Sequence, residues 1–298
     1  ESFYQTNWKE TRIDPVGTFY SQTDLFADGG NTGYNDFSGT ALDTPVPGFG
    51  NVIGLYSALG NNPLLGPVLQ STGLYANGVT PAYGNTLKVA SVGKDYNARN
   101  DGQFGFAFRY IAEQLNSTEF GLYLVNYHAK EPTIAADLGG YNGIDMNALT
   151  NLLAGVAGSQ AGALANGLAT ADVMGNIQAH RRYAEDIRMY GFSFNTTLGE
   201  ASVFGEVAYR PNLPIGVAAT NDLIGDLANG AAAAVTGQSI NVGGQMVTLD
   251  SQINNAERVE AFNTSLGTIY NFGPTGSFDS LFGIFELASE HLRGSNLQ

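Results

Sequence analysis

Apolar and polar side chains alternate along several stretches of this chain. The clearest is "FGFAFRYIAEQLNSTEFGLYLVNYH", residues 104–128, where aromatic residues fill every second position from Phe104 to Tyr110. The alternation resumes at Phe120 after a run of polar residues. Because successive side chains of a strand point to opposite sides of a sheet, this spacing predicts two strands with one apolar face each. The segment is therefore predicted to be an antiparallel hairpin.

Two further segments repeat this order of strand, short polar turn and strand. In the second, "DIRMYGFSFNTTL" and "SVFGEVAYRPNL" lie on either side of the turn at 199–201, and in the third "VEAFNTSLGTIYNF" and "DSLFGIFELASEHL" flank "GPTGS". Gly and Pro in such turns supply the backbone angles that a chain reversal needs. With an opening strand near residues 2–14, the pattern predicts about seven antiparallel strands of about 10 to 14 residues each.

Three long connections join these units, and they fall on one side of the predicted sheet if the strands alternate in direction. They cover about 15–102, 131–184 and 212–256. Short turns on one side and long loops on the other are typical of transmembrane β-barrels. Apolar residues at helical spacing predict helical inserts in all three connections, at about 50–72, 143–182 and 220–236. Two interpretations remain open: helices that cover the barrel mouth, or a plug or hydrophobic binding site for a ligand.

The positions opposite the aromatic rows are small or charged. We take five charged residues as candidates for lining the lumen: Arg109, Glu113, Glu206, Arg210 and Glu286. This arrangement fits lipid outside a barrel and a polar lumen inside it. A soluble β-sandwich would alternate in the same way, with core and solvent exchanged. Strand length favours the membrane, since tilted membrane strands need about 9–11 residues. The alternative role of the charged residues is ion pairing that holds the wall.

Composition narrows the class of protein. Charged residues make up only 13% of the chain, and the net charge of −14 argues against a nucleic-acid partner. The absence of cysteine excludes disulfides and thiolate metal sites. The chain opens without a secretory signal, as if in the middle of a strand, and its last residues run from a strand into a polar loop. We therefore expect an internal piece of a longer protein. Residues 1–298 are predicted to be part of a single all-β domain, an antiparallel transmembrane β-barrel with helical insertions.

The search for chemistry yields few candidates. His128 and His291 fall near strand ends. A lipid hydrolase embedded in the barrel would need one of them beside a serine. The sequence contains no nucleophile-elbow motif that would supply such a serine. The sequence therefore predicts no catalytic residue, no cofactor and no enzyme activity.

Asp24, Asp28 and Asp36 lie among glycines in "DLFADGGNTGYND" and are candidate calcium ligands, with an ordinary solvated loop as the alternative.

Two phrases resemble a known family. "WKETRIDPVGT", residues 8–18, and "EVAYRPNLP", residues 206–214, resemble Gram-negative envelope proteins known as domain of unknown function 1302 (DUF1302), and the likeness extends over the whole chain. The resemblance implies a bacterial outer-membrane barrel whose surroundings are the lipid bilayer and lipopolysaccharide. It also implies an association with export systems and with lipid or steroid metabolism. It implies no functional residues.

These observations lead to an expected function with alternatives. The first is a porin-like outer-membrane barrel that moves a hydrophobic or amphipathic small-molecule cargo, with polar lumen residues and loop inserts selecting it. The second is a surface-binding or structural barrel whose acidic loops bind cations or partners such as export-system components. The third is the lipid hydrolase.

Overall fold

The computed structural model describes residues 1–12, 14–21, 27–216 and 223–294, and most of the regular structure in them is β. The strands are β1 Ser2–Gln5, β2 Thr32–Asp36, β3 Pro45–Val46, β4 Gly50–Asn51, β5 Ala82–Tyr83, β6 Thr86–Val92, β7 Gln103–Ala112, β8 Thr118–Tyr127, β9 Thr133–Asp137, β10 Gln178–Arg182, β11 Ile187–Leu198, β12 Ala201–Gly216, β13 Ile240–Val242, β14 Gln245–Val247, β15 Ile253–Asn254, β16 Ala256–Thr275 and β17 Phe278–Arg293.

Helices lie between these strands. The α-helices are α1 Val52–Gly60, α2 Leu65–Gln70, α3 Met146–Ala157, α4 Ala161–Asn176 and α5 Leu223–Ala234. Short 3-10 helices are Ala41–Asp43, Glu113–Leu115 and Gly158–Gln160. No helix in the described ranges has the length and apolar character needed to cross a bilayer.

The largest sheet has seven antiparallel strands in the order β1-β7-β8-β11-β12-β16-β17. The three predicted hairpins and the predicted strand number are confirmed. The opening strand is shorter than the predicted 2–14, since β1 ends at Gln5. The third turn is tighter than "GPTGS", because the ladder continues to the pair Thr275 and Phe278. Within the described part of the chain, β1 and β17 each have one neighbouring strand, so these residues alone do not close the sheet.

The register of the sheet separates two faces. One row across the strands contains Phe108, Leu122, Phe192, Val207 and Thr264. The adjacent row contains Arg109, Gly121, Ser193, Glu206 and Ser265. Directly paired residues of an antiparallel sheet lie on the same face, so the aromatic rows form one apolar face and the polar rows form the other. The predicted division of the two faces is confirmed.

The three long connections fold together into a second body, which we call the cap. Its sheet has the order β15-β9-β10-β6-β2, with β5 also paired to β6, and it draws strands from all three connections. The five α-helices pack around one core that includes Leu87, Leu168 and Leu227, one residue from each connection. The central helix is α4, whose residues from Leu168 to Gly175 are all buried.

The helical inserts differ from the prediction in one segment. Helices occur within all three predicted ranges, but residues 178–182 at the end of the second form β10. This strand pairs antiparallel with β9 and parallel with β6. The local sequence "QAHRR" carries no strand signal of its own, so the pairing with distant segments determines its conformation.

Candidate functional site

The cap and the seven-stranded sheet meet at an open cleft of about 730 Å³. Its floor is the cap end of the polar face, where that face becomes mostly apolar, and five strands contribute Phe3, Gln103, Tyr127, Ile187 and Leu213. Its other wall comes from the connections and includes Lys130, Glu131, Pro132, Thr133 and Asn255. The cleft thus places apolar side chains beside polar and charged ones.

A second cleft of about 420 Å³ adjoins the first, and the two share Thr133 and Pro214. It is more polar and contains two arginines. Arg182 Nη1 donates to Asn254 Oδ1 at 2.8 Å, and Arg258 Nη2 donates to the Glu185 carbonyl at 2.7 Å. Because the clefts share lining residues, a groove runs along the junction between cap and sheet.

An ion-paired cluster holds the cap end of the sheet together. Arg99 Nη2 donates to both carboxylate oxygens of Asp186 at 2.7 Å, and Arg99 Nη1 donates to Glu185 Oε2 at 2.9 Å. Asn126 Nδ2 donates to Asp186 Oδ1 at 3.0 Å. The hydrogen bond from Asn126, together with those from Arg99, holds the pKa of Asp186 below its usual value. Charge-assisted, bidentate contacts of this kind fix the geometry of the strand ends.

His128 belongs to the same cluster and is 1% exposed. Its Nδ1 accepts from the Asp186 N–H at 3.0 Å, which leaves the ring proton on Nε2 to be donated to the Asp101 carbonyl at 2.8 Å. Both ring nitrogens are occupied by the backbone. His291 lies on β17 opposite Phe262, on the apolar face, and β11, β12 and β16 separate its strand from β8. The two candidate histidines of the hydrolase hypothesis therefore lie at separate strands, and the hypothesis itself, which needs one of them beside a serine, stays a prediction.

Four of the five candidate lumen residues lie on the polar face. They are Arg109, Glu206, Arg210 and Glu286. Arg109 Nε is 3.8 Å from Glu119 Oε1, and Arg210 Nη1 donates to Asn263 Oδ1 at 2.8 Å. The fifth, Glu113, lies in the turn beyond β7, because that strand ends at Ala112 and Glu113 begins a 3-10 helix. Whether the polar face encloses a lumen stays a prediction.

The calcium candidates are separate from this cleft. Asp24 lies outside the described residues. Asp28 Oδ1 accepts from Arg181 Nη1 at 2.9 Å. Asp36 Oδ1 accepts from Ser38 Oγ at 2.6 Å, and the hydrogen bonds from the Ser38 hydroxyl and backbone N–H lower the Asp36 pKa. The described parts of the chain contain no group of three or more His, Asp or Glu side chains placed to hold a metal ion.

Sequence reasoning missed the residues that build the junction. Arg99 and Gln103 belong to the polar run "ARNDGQ", which ends at the first residue of β7, and Asp186 belongs to "YAEDI", which ends at the first residue of β11. Polar runs at the same end of two strands were the available signal. Their pairing was hidden because 86 and 87 residues separate Arg99 from Glu185 and Asp186.

The whole chain matches one family. The family model described as "Protein of unknown function (DUF1302)" covers residues 1–298. The chain belongs to the DUF1302 family. The resemblance carried by residues 8–18 and 206–214 is thus confirmed. No curated protein and no solved structure matches the chain.

The first residue of the first DUF1302 phrase packs at the junction. Trp8, which opens the first phrase, is 7% exposed and donates from Nε1 to the Ala129 carbonyl at 3.0 Å. Its ring contacts Tyr183 edge to face, with centroids 4.7 Å apart. In this DUF1302 chain Trp8 therefore has a packing role behind the cleft wall, since Ala129 also lines the cleft.

Proposed function

We propose that this DUF1302 chain is part of an outer-membrane β-barrel that forms a pore or transporter for a hydrophobic or amphipathic solute. The observation that supports it most strongly is the exposed apolar face of the seven-stranded sheet. Phe108, Phe285 and Leu287 on that face are 65%, 66% and 65% exposed. In aqueous solution an aromatic face of this extent would have to be buried against another protein surface. In a membrane the hydrocarbon of the bilayer covers it directly.

Aromatic residues at the two ends of that face support a membrane position. Tyr209 and Phe262 stack at the cap end, with ring centroids 4.6 Å apart. Tyr270 lies on the same face near the turn end, paired with Ala201. Phe262 and Tyr270 are eight residues apart on β16, or about 27 Å along a strand. Because barrel strands tilt by about 40°, this length corresponds to about 20 Å along the barrel axis. That height is close to the apolar band of about 25 Å in such barrels.

In this proposal the polar face lines the path of the solute, and the junction groove lies at its mouth. Glu206 would face the lumen between Ser193 and Ser265, its partners on the neighbouring strands. The proposal also requires further strand pairing at β1 and β17, because a bilayer does not tolerate unpaired strand edges. Bilayer lipids and lipopolysaccharide are the proposed neighbours of the apolar face.

Planar-bilayer conductance of the intact gene product tests the pore. We expect discrete current steps that favour cations over anions. Removing two acidic side chains from the polar face, by Glu206→Gln with Glu286→Gln, should reduce that preference. Glu10→Gln is the matched control, because Glu10 is exposed and lies outside the strands. Bilayers that stay sealed would contradict the pore and leave the surface-binding or structural barrel as the better account.

A further inference from the structure

A buried side-chain amide on the cleft floor lacks a partner. Gln103 is 2% exposed, and its Oε1 accepts from the His128 N–H at 3.3 Å. Its Nε2 has no hydrogen-bond partner in the described part of the chain. Reversing the amide would place Nε2 against the His128 N–H, donor against donor, so the contact with His128 fixes its orientation. Buried polar groups are nearly always paired, so this donor requires an acceptor.

The surroundings of that amide are apolar on one side and mixed on the other. Phe3, Tyr127, Ile187 and Leu213 share the cleft floor with Gln103. On the opposite wall, Lys130 supplies a second donor and the adjacent Glu131 offsets its charge. The wall thus has no net charge from this pair. The volume of the cleft, about 730 Å³, falls within the range of about 300–1,000 Å³ that small-molecule sites occupy.

We infer that this cleft binds an amphiphile whose apolar body lies on the Phe3, Tyr127, Ile187 and Leu213 surface and whose polar end presents a carbonyl oxygen to Gln103 Nε2. The carbonyl belongs to a carboxylate or an ester. The inference rests on the proposed transport function, and it adds the class of solute and the place where it binds. Gln103 sets the position of the polar end, and the cleft walls accommodate the chain.

The only tryptophan in the sequence provides the reporter. Trp8 Nε1 donates to the Ala129 carbonyl, and Ala129 lines the cleft, so a heavy-atom quencher in the cleft comes close to the indole. Dibrominated dodecanoate, its methyl ester and dibrominated dodecane are titrated into the intact protein in lipid nanodiscs at pH 8. We expect saturable quenching by all three probes, with the acid and the ester binding more tightly than dibromododecane.

Two variants test the assigned contacts. Gln103→Glu keeps the acceptor for the His128 N–H but replaces the unpaired donor with a carboxylate oxygen. It should weaken binding of the acid and the ester at least tenfold and leave quenching by dibromododecane unchanged. Gln160→Glu makes the same chemical change in the 3-10 helix at 158–160, which does not line the cleft, and should bind as the wild type does. Leu213→Phe reduces the space for the chain and should weaken all three probes.

Circular dichroism spectra identify any variant that fails to fold, and Leu213→Phe then tests the cleft independently of Gln103. The inference is overturned if quenching does not saturate, or if folded Gln103→Glu and Leu213→Phe both bind dodecanoate with wild-type affinity. Conductance of the same preparations separates this result from the proposed function. Channels without saturable quenching remove the amphiphile site alone, and quenching in a sealed bilayer supports the site while removing the pore.

Discussion

The backbone N–H of Asp186 donates to Nδ1 of His128 at 3.0 Å, which joins the start of β11 to the end of β8. Asp186 adopts φ of 56°, a left-handed conformation that Asp and Asn tolerate better than most residues. Its side chain accepts from Arg99 and Asn126, and its carbonyl accepts from Asn212 Nδ2 at 2.7 Å. One residue therefore connects β11, β8, β12 and the segment before β7.

Replacing Asp186 should loosen this end of the sheet. Asp186→Ala removes the acceptor of three hydrogen bonds to a carboxylate and places Ala in a left-handed conformation that costs about 1–2 kcal/mol. We expect a loss of about 2–4 kcal/mol in the free energy of unfolding. The part of this loss that exceeds the backbone cost comes mostly from the missing hydrogen bonds. Asp186→Asn keeps the backbone tolerance and should lose less.

Thermal unfolding of the intact protein in detergent micelles, followed by circular dichroism, measures this difference. Asp250→Ala is the control, because Asp250 is exposed and forms none of these contacts. Equal melting temperatures for Asp186→Ala and Asp250→Ala would show that Asp186 does not stabilise the junction.

A buried carboxylate in the cap gives a pH dependence. Asp172 in α4 is fully buried and accepts from the Tyr56 hydroxyl at 2.7 Å and the Tyr141 hydroxyl at 2.8 Å. Burial raises the pKa of Asp172, although the hydrogen bonds from the two tyrosines oppose the shift. The pKa in the unfolded chain is about 3.9. Between these two pKa values the folded state binds more protons than the unfolded state.

The contribution of Asp172 to cap stability should therefore be greatest below about pH 3.9. It should fall as the pH rises through the raised pKa of Asp172. Asp172→Asn should remove this slope. Asp172→Ala should cost about 2–4 kcal/mol at neutral pH, because the buried Tyr141 hydroxyl and Tyr75 N–H lose the carboxylate that accepts from them. Unfolding in urea at several pH values measures both. A slope in Asp172→Asn equal to that of the wild type would assign the pH dependence to another group.

The hairpins and the two faces of the large sheet could be predicted because their signal is local. The Phe104 to Tyr110 row shows its period within seven residues, and the register places it where the alternation predicts. Helical spacing in "DMNALTNLLAGVAG" likewise indicates α3, which begins at Met146. A period of two or of 3.6 residues can be read without knowing what the segment packs against.

The cap sheet and the cleft could not be predicted in this way. Ala135 pairs with His180 across one connection, and Ala136 pairs with Ile253 from another, so each strand depends on distant partners. Gln103 is unremarkable in sequence, since it is only the residue before the aromatic row. Its importance comes from burial and from the contact with His128, neither of which has a local pattern.

Adjacent residues on β16 test the membrane position of the apolar face. Leu266 is 53% exposed on that face, whereas Ser265 lies on the polar face and pairs with Glu206. Leu266→Lys should impair folding into liposomes by about 2–4 kcal/mol, because a lysine near the bilayer centre must leave water. Ser265→Lys introduces the same charge next to a carboxylate and should fold normally. Equal folding yields for the two variants would contradict lipid contact at Leu266.

A close contact between neighbouring strands on the polar face gives a final test. Gly267 pairs with Phe204, and a Cβ at Gly267 would lie 2.4 Å from Phe204 Cζ. The ring therefore lies over the glycine, and Gly267→Val must displace it. We expect a loss of about 1–3 kcal/mol, as for other overpacked sites.

A double-mutant cycle separates this steric effect from the β-propensity of valine. In a Phe204→Ala background the ring is absent, so Gly267→Val should cost much less and should even stabilise the strand, since valine favours β-structure over glycine. Urea unfolding in micelles of the wild type, Gly267→Val, Phe204→Ala and the double variant measures the coupling energy between positions 204 and 267. A cost of Gly267→Val that is the same with and without the Phe204 ring would rule out the ring contact as the reason for glycine at this position.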